Sequence, residues 1–143
     1  MRNKDFIDTS GWANLFVATE SYHENAKLWF QEARRQNLQM ITTNYVVLEL
    51  VALLNSPLRV ARSQLFQYVD AVRTASYIHL IHIDISIDIS IDIAAWDLLK
   101  TREDKSWSLV DSTSFIVMEQ FDIQEALTTD HHFEQAGYIR LLK

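Results

Sequence analysis

Short apolar runs that stop in polar turn formers alternate with stretches in which apolar residues recur every third or fourth position, and this alternation constrains the fold most. The first run, Phe6-Ile7, stops in Asp8-Thr9-Ser10-Gly11 and reads as a strand. Trp12, Leu15 and Phe16 then recur at helical spacing. From Tyr22 to Gln36, Ala26, Trp29, Phe30 and Ala33 form one apolar stripe, with Lys27, Glu32, Arg34 and Arg35 off it. Leu38 to Ile41 reads as a second strand, and Thr42-Thr43-Asn44 offers capping side chains to a helix running from Tyr45 to Leu54. Pro57 lies just past that helix, where it can end one helix and open the next. Residues 58–75 carry Val60, Ala61, Leu65, Val69 and Val72 at helical spacing, Tyr77 to Ile83 reads as a strand, and Ala94 to Leu99 returns to a helical pattern. A further helix spans Ser108 to Phe121. Ala126-Leu127 is a short strand that stops at Thr128-Thr129-Asp130, and a brief helix, Gly137 and a last strand from Ile139 to Leu142 complete the chain. Strands alternating with helices predict an α/β fold of three layers, with a mainly parallel central sheet of four or five strands between helices. In such sheets ligand chemistry gathers at the carboxyl ends of the strands. Asp8 and Asp130 both fall there.

The 143 residues, 48% of them hydrophobic, predict one domain over 1–143 with a well-developed core. With two glycines and one proline, most of the chain can run in regular elements joined by short connections. The absence of cysteine excludes a disulfide framework, a thiolate metal site and a cysteine nucleophile, and points to a reducing cytoplasm. The start, Met1-Arg2-Asn3-Lys4-Asp5, lacks the apolar stretch of a secretory signal, so export is not expected. Charges interrupt every hydrophobic run before the roughly 18 to 20 residues of a membrane span are reached, so a soluble protein is expected. A net charge of -6 argues against a protein that coats nucleic acid nonspecifically, because phosphate contacts come mainly from Lys and Arg. Local contacts through clustered basic residues remain open.

One segment is of low complexity: Ile83-Asp84-Ile85-Ser86-Ile87-Asp88-Ile89-Ser90-Ile91-Asp92-Ile93 repeats a tetrapeptide. Its strict alternation predicts a strand with an isoleucine face opposite an Asp/Ser face. It reads either as an oligomer contact or as a tolerated surface insertion, and the insertion is favoured.

Four carboxylates look out of place. The stretch Val46-Val47-Leu48-Glu49-Leu50-Val51-Ala52-Leu53-Leu54 is apolar on every face except at Glu49, which predicts a helix buried on most sides. A carboxylate there needs a cation or a hydrogen-bond network, or an arginine partner. Asp111 shares a helix face with Phe115 and Met118 and so points inward, although Ser108 could make it an ordinary helix-terminal aspartate. Asp8 and Asp130 can each be read as helix caps. Taken together, carboxylates at two strand ends and on two inward helix faces can converge only around something positive, and oxygen ligands without cysteine suggest Mg²⁺ or Mn²⁺.

These residues resemble the PIN-domain ribonucleases, particularly the stand-alone VapC-type toxins of toxin-antitoxin pairs. The likeness covers nearly the whole chain. It is carried by Phe6-Ile7-Asp8-Thr9-Ser10, by Leu48-Glu49, by Ser108-Leu109-Val110-Asp111-Ser112-Thr113-Ser114-Phe115, and by Ala126-Leu127-Thr128-Thr129-Asp130-His131-His132-Phe133-Glu134-Gln135-Ala136-Gly137-Tyr138. The resemblance implies a metal-ion site at Asp8, Glu49, Asp111 and Asp130, with Asp104 as a subsidiary acidic position, and endonucleolytic cleavage of RNA. It also implies a cognate antitoxin protein and a homodimer. The Ile-Asp-Ile-Ser repeat departs from the family pattern as an insertion of about one unit.

Four acidic groups repel RNA, so basic residues must hold the flanking phosphates. Arg59 and Arg62 are expected to share a helix face and bind substrate, with Arg73 nearby and Lys100, Arg102 and Lys105 as a second group. The pairs His79/His82 and His131/His132 are not read as metal sites, because adjacent histidines on a helix diverge. The four tryptophans read as core or interface residues. A competing reading is Mg²⁺-dependent phosphoryl transfer through an aspartyl nucleophile, which resembles the haloacid-dehalogenase group. That pattern places a second aspartate two positions on, where this chain has Ser10. A non-catalytic RNA-binding module is the third possibility, and the presence of all four acidic residues weighs against it.

Overall fold

A computed structural model describes residues 3–86 and 88–143 of the chain. Its elements follow in the order β1 (Lys4–Ile7), α1 (Thr9–Phe16), α2 (His23–Arg35), β2 (Gln39–Thr43), α3 (Asn44–Asn55), α4 (Arg62–Thr74), β3 (Ile78–Ile81), α5 (Ser90–Thr101), α6 (Leu109–Gln120), β4 (Glu125–Leu127), α7 (His132–Gln135) and β5 (Ile139–Arg140). The five strands form one sheet in the order β3-β2-β1-β4-β5, and every neighbouring pair is parallel. Helices cover both faces, giving the three-layer α/β/α arrangement the alternation predicts. Phe6, Ile7, Met40, Ile41, Ala126 and Leu127 are fully buried, as central strands of a parallel sheet must be.

The connectivity decides where a site can form. From β1 the chain builds outward through β2 to β3, then returns to lay β4 and β5 on the other side of β1. Strand order therefore reverses between β1 and β4, and the crevice at their carboxyl ends is the switch point of the sheet. Glycine is required at one position beside it. Helix α1 starts so close to β4 that a Cβ on Gly11 would lie 2.1 Å from the Leu127 carbonyl oxygen, a backbone atom that cannot swing aside. Overpacking of this kind costs roughly 1–3 kcal/mol or more. Gly11→Ala is therefore expected to lower the melting temperature by about 5 °C or more, at roughly 2–4 °C per kcal/mol for a chain of this size. A melting curve unchanged from wild type would show that α1 can shift freely on β4.

Three expectations are corrected. The repeat does not continue the sheet: β3 ends at Ile81, and Asp84 and Asp88 each turn the chain locally. The Asp84 carboxylate accepts from both the backbone N–H and the hydroxyl of Ser86, and Asp88 does the same with Ser90. Such Asx turns compete with ladder bonds, and β3 is an edge strand with no further neighbour to capture the alternating sequence. The rest of the repeat becomes the first turn of α5; Ile87 lies outside the described residues.

Next, α4 begins only at Arg62, and Arg59 sits in the preceding irregular segment at φ 52°. Arg59 and Arg62 therefore do not share a helix face. Third, α3 is not buried on most sides, because Val46, Val47, Leu50 and Leu54 face the core while Leu48 is 71% exposed. Among the tryptophans, Trp12 and Trp107 enter the core and Trp96 is half exposed. Among the described residues no helix is long and apolar enough to cross a membrane.

Candidate active site

Asp8 leaves the carboxyl end of β1 at the switch point. It occupies the N-cap position of α1, yet its side chain makes no capping bond. Its Oδ2 accepts instead from Thr128 Oγ1 at 2.8 Å, across the seam to the residue that follows β4. Thr128 Oγ1 also accepts from the Asp130 N–H at 3.0 Å and lies 3.1 Å from Ser10 Oγ, which in turn accepts from the Thr129 N–H at 2.9 Å. This hydroxyl lattice sets Asp8 and Asp130 relative to one another.

Glu49 comes from the middle of α3 and is half-buried. Among the described residues no arginine pairs with it; it accepts a hydrogen bond from Thr9 Oγ1. Asp8, Thr9, Ser10, Glu49, Leu53, Thr129, Asp130 and His131 together line a cleft of about 450 Å³. Asp111 arrives from the first turn of α6. There the expected helix-terminal role is real, for Ser108 Oγ accepts from the Asp111 N–H and Asp111 Oδ2 accepts from the Ser108 N–H, each at 3.0 Å. The same Oδ2 lies 3.0 Å from His132 Nδ1, so all these bonds use one carboxylate oxygen.

Electrostatically the cluster is poised against itself. Burial raises the Asp8 carboxyl from 3.8 to about 7; hydrogen bonds from Thr128 and the Thr9 backbone oppose this, and the negative charges of Asp111 and Glu49 reinforce it. Among the described residues no Lys or Arg pairs with Asp8, Glu49, Asp111 or Asp130. Carboxylate oxygens gathered this way, with no Lys or Arg among the described residues to match them, suit a hard divalent cation.

The structure thus brings Asp8, Glu49 and Asp130 to one cleft and places Asp111 within electrostatic reach of Asp8. Asp104 pairs with Arg102 and Lys105 in an exposed turn and bonds to none of the four. Arg59 and Arg62 are exposed and do not line the cleft; Arg62 stacks its guanidinium 5.1 Å from the Phe66 ring centre. His79 packs edge-on against Phe121. Sequence reasoning missed Thr9, Ser10, Thr128 and His132. The hydroxyls sit inside the very motifs that flagged the aspartates. Adjacent histidines are expected to diverge on a helix, but the His131 and His132 rings lie 4.6 Å apart at the start of α7.

Comparison with known proteins agrees with this fold. The PIN domain family matches residues 6–138. The 23S rRNA-specific endonuclease VapC20 of Mycobacterium tuberculosis, in strains CDC 1551 and H37Rv, is 31% identical over 137 residues, covering 95% of this chain and 96% of the relative. The crystal structure of M. tuberculosis VapC20, a sarcin-ricin loop cleaving toxin, superposes with a TM-score of 0.79 at 30% identity, covering 94% of this chain and 95% of that one. PIN nucleases as a class depend on metal ions. The chain belongs to the PIN-domain family and is an endoribonuclease of the VapC type.

Proposed function

We propose that Asp8, Glu49, Asp111 and Asp130 form the catalytic metal site, and that the protein uses Mg²⁺ or Mn²⁺ there to cut RNA as the toxin of a toxin-antitoxin pair. The observation that carries this reading is the cleft in which Asp8, Glu49 and Asp130 meet with no Lys or Arg partner among the described residues, the Asp8 carboxyl being raised to about 7 by burial and by its acidic neighbours. A divalent cation bound there supplies an activated water and charge stabilisation at the phosphate. The chain does the positioning. Thr128 and Ser10 hold Asp8 and the Thr129-Asp130 backbone in one frame, Thr9 orients Glu49, and the Ser108 cap fixes Asp111. Leu53 closes the wall of the cleft, and the Leu58 N–H bonds to the Leu53 carbonyl at 3.2 Å, docking the segment that carries Arg59 beside it. Arg59 and Arg62 are the phosphate contacts of this reading.

By its likeness to VapC20, the substrate class is a structured ribosomal RNA. The chain works as one domain, as a homodimer, in the cytoplasm and under a cognate antitoxin. The aspartyl-phosphatase reading has no support from the family assignment, and Ser10, where that chemistry needs a second aspartate, is tied to Thr128 and the Thr129 backbone.

The test is incubation of purified protein with ribosomal RNA in Mg²⁺ or Mn²⁺, with and without EDTA. Discrete cleavage products that disappear on chelation are expected. Cleavage that persists in EDTA would overturn the metal site, and hydrolysis of small phosphomonoesters without RNA cleavage would overturn the nuclease reading.

A further inference from the structure

We propose that His132 is a nitrogen ligand of the metal site, so that the site is a mixed oxygen-nitrogen one that favours Mn²⁺ over Mg²⁺. The inference rests on the acidic metal site proposed above and adds to it a donor of a different chemical kind.

His132 is the first residue of α7. Asp130 Oδ1 accepts from the His132 N–H at 2.9 Å, and this local turn folds the imidazole back toward the carboxylates. His132 Nδ1 lies 3.0 Å from Asp111 Oδ2 and 3.3 Å from Asp130 Oδ1. Donors bound at about 2.0–2.2 Å to one divalent ion are separated by roughly 2.8–3.1 Å in octahedral sites and about 3.3–3.6 Å in tetrahedral ones, so these spacings fall within the range of coordination-shell edges. The ligand atoms of Asp130, His131 and His132 all lie within 4.8 Å of one another. His132 is held in place, with its side chain 17% exposed.

The far side of the ring fits the same role. His132 Nε2 is 3.4 Å from Ser106 Oγ. In the metal-free ring Nδ1–H donates to the carboxylates and Nε2 accepts from the Ser106 hydroxyl. With a metal on Nδ1, the ring carries its one proton on Nε2 and donates it to Ser106 Oγ, the outer contact that metal-bound histidines ordinarily make. Imidazole nitrogen suits transition ions, whereas Mg²⁺ prefers oxygen and water.

The experiment compares wild type, His132→Ala and His132→Asn by calorimetric titration with Mn²⁺ and with Mg²⁺, and by pulsed electron paramagnetic resonance of the bound Mn²⁺. Wild type should show a nitrogen coupling that both variants lose. Both should bind Mn²⁺ at least tenfold more weakly, with Mg²⁺ affinity changing less than threefold. Equal weakening for the two ions would mean that His132 only orients Asp111, and would overturn the inference. So would normal Mn²⁺ binding without a nitrogen coupling, or a coupling that survives in His132→Ala and vanishes in His131→Ala. If wild type binds neither ion, the acidic metal site itself fails; if it binds Mn²⁺ and cleaves RNA without nitrogen coupling, only the present inference does.

Discussion

Asp8→Asn and Asp111→Asn should each lower the rate of RNA cleavage by roughly a hundredfold or more, since a bound ion stabilises transition-state charge by several kcal/mol and each 1.36 kcal/mol is tenfold. The two substitutions should differ in everything except that loss. An asparagine at position 8 can still accept the Thr128 hydroxyl, and Asp8 caps nothing, so secondary structure should be untouched. Asp111 Oδ2 serves both the Ser108 N–H and His132, so an amide there weakens the α6 cap and the variant should melt earlier. Capping contributions are typically about 1 kcal/mol. Single-turnover cleavage assays and thermal melts on the same preparations measure both effects. Wild-type rates in either variant would remove that residue from the site.

In the absence of divalent ions, Asp8→Asn should stabilise the protein in alkaline solution. The Asp8 carboxyl is raised from 3.8 to about 7, so the folded state holds its proton more tightly than the unfolded chain does. Its contribution to folding is fully present below about pH 4 and is lost as pH climbs through about 7, because an ionised Asp8 must then sit in a buried, negatively charged cleft. Through linkage the displacement is worth at most about 4 kcal/mol. With EDTA present, Asp8→Asn and wild type should melt together near pH 4, and the variant should melt several degrees higher at pH 8. Adding Mn²⁺ at pH 8 should then raise the wild-type melting temperature and leave the variant where it was. Parallel curves for the two proteins across that range would show that Asp8 is not held in its neutral form.

Much of this was legible in the chain because the relevant signals are local. The 2- and 3.6-residue periods place β1, α2, α3 and α6 close to where they lie, and the strand-end position of Asp8 and Asp130 follows from the same periods. Failures arose where tertiary context overrides pattern. Alternating isoleucines look like a strand, but aspartate followed two residues later by serine closes its own turn when no neighbouring strand competes. Residues 58–61 carry a helical apolar spacing, yet the Val60 N–H is taken by the Leu54 carbonyl at the end of α3, so the helix starts later. The apolar ring around Glu49 suggested burial on most faces, and Leu48 is instead exposed, a fact about what packs beside α3 that no property of the segment encodes. Thr128 and His132 stayed hidden for a similar reason. Their importance lies in partners 120 and 21 residues away in sequence.

That separation bears on how such an enzyme can be made at all. Asp8 and Glu49 are synthesised early, whereas Asp111, Thr128, Asp130 and His132 belong to the last quarter of the chain, and β4 is what seats them against β1. A polypeptide still being translated has one half of the cleft and no seam to hold it. On the site proposed above, a nascent chain therefore lacks Asp111, Asp130 and the Thr128 contact to Asp8 until its last quarter has emerged, and the cleft is completed only when β4 pairs with β1.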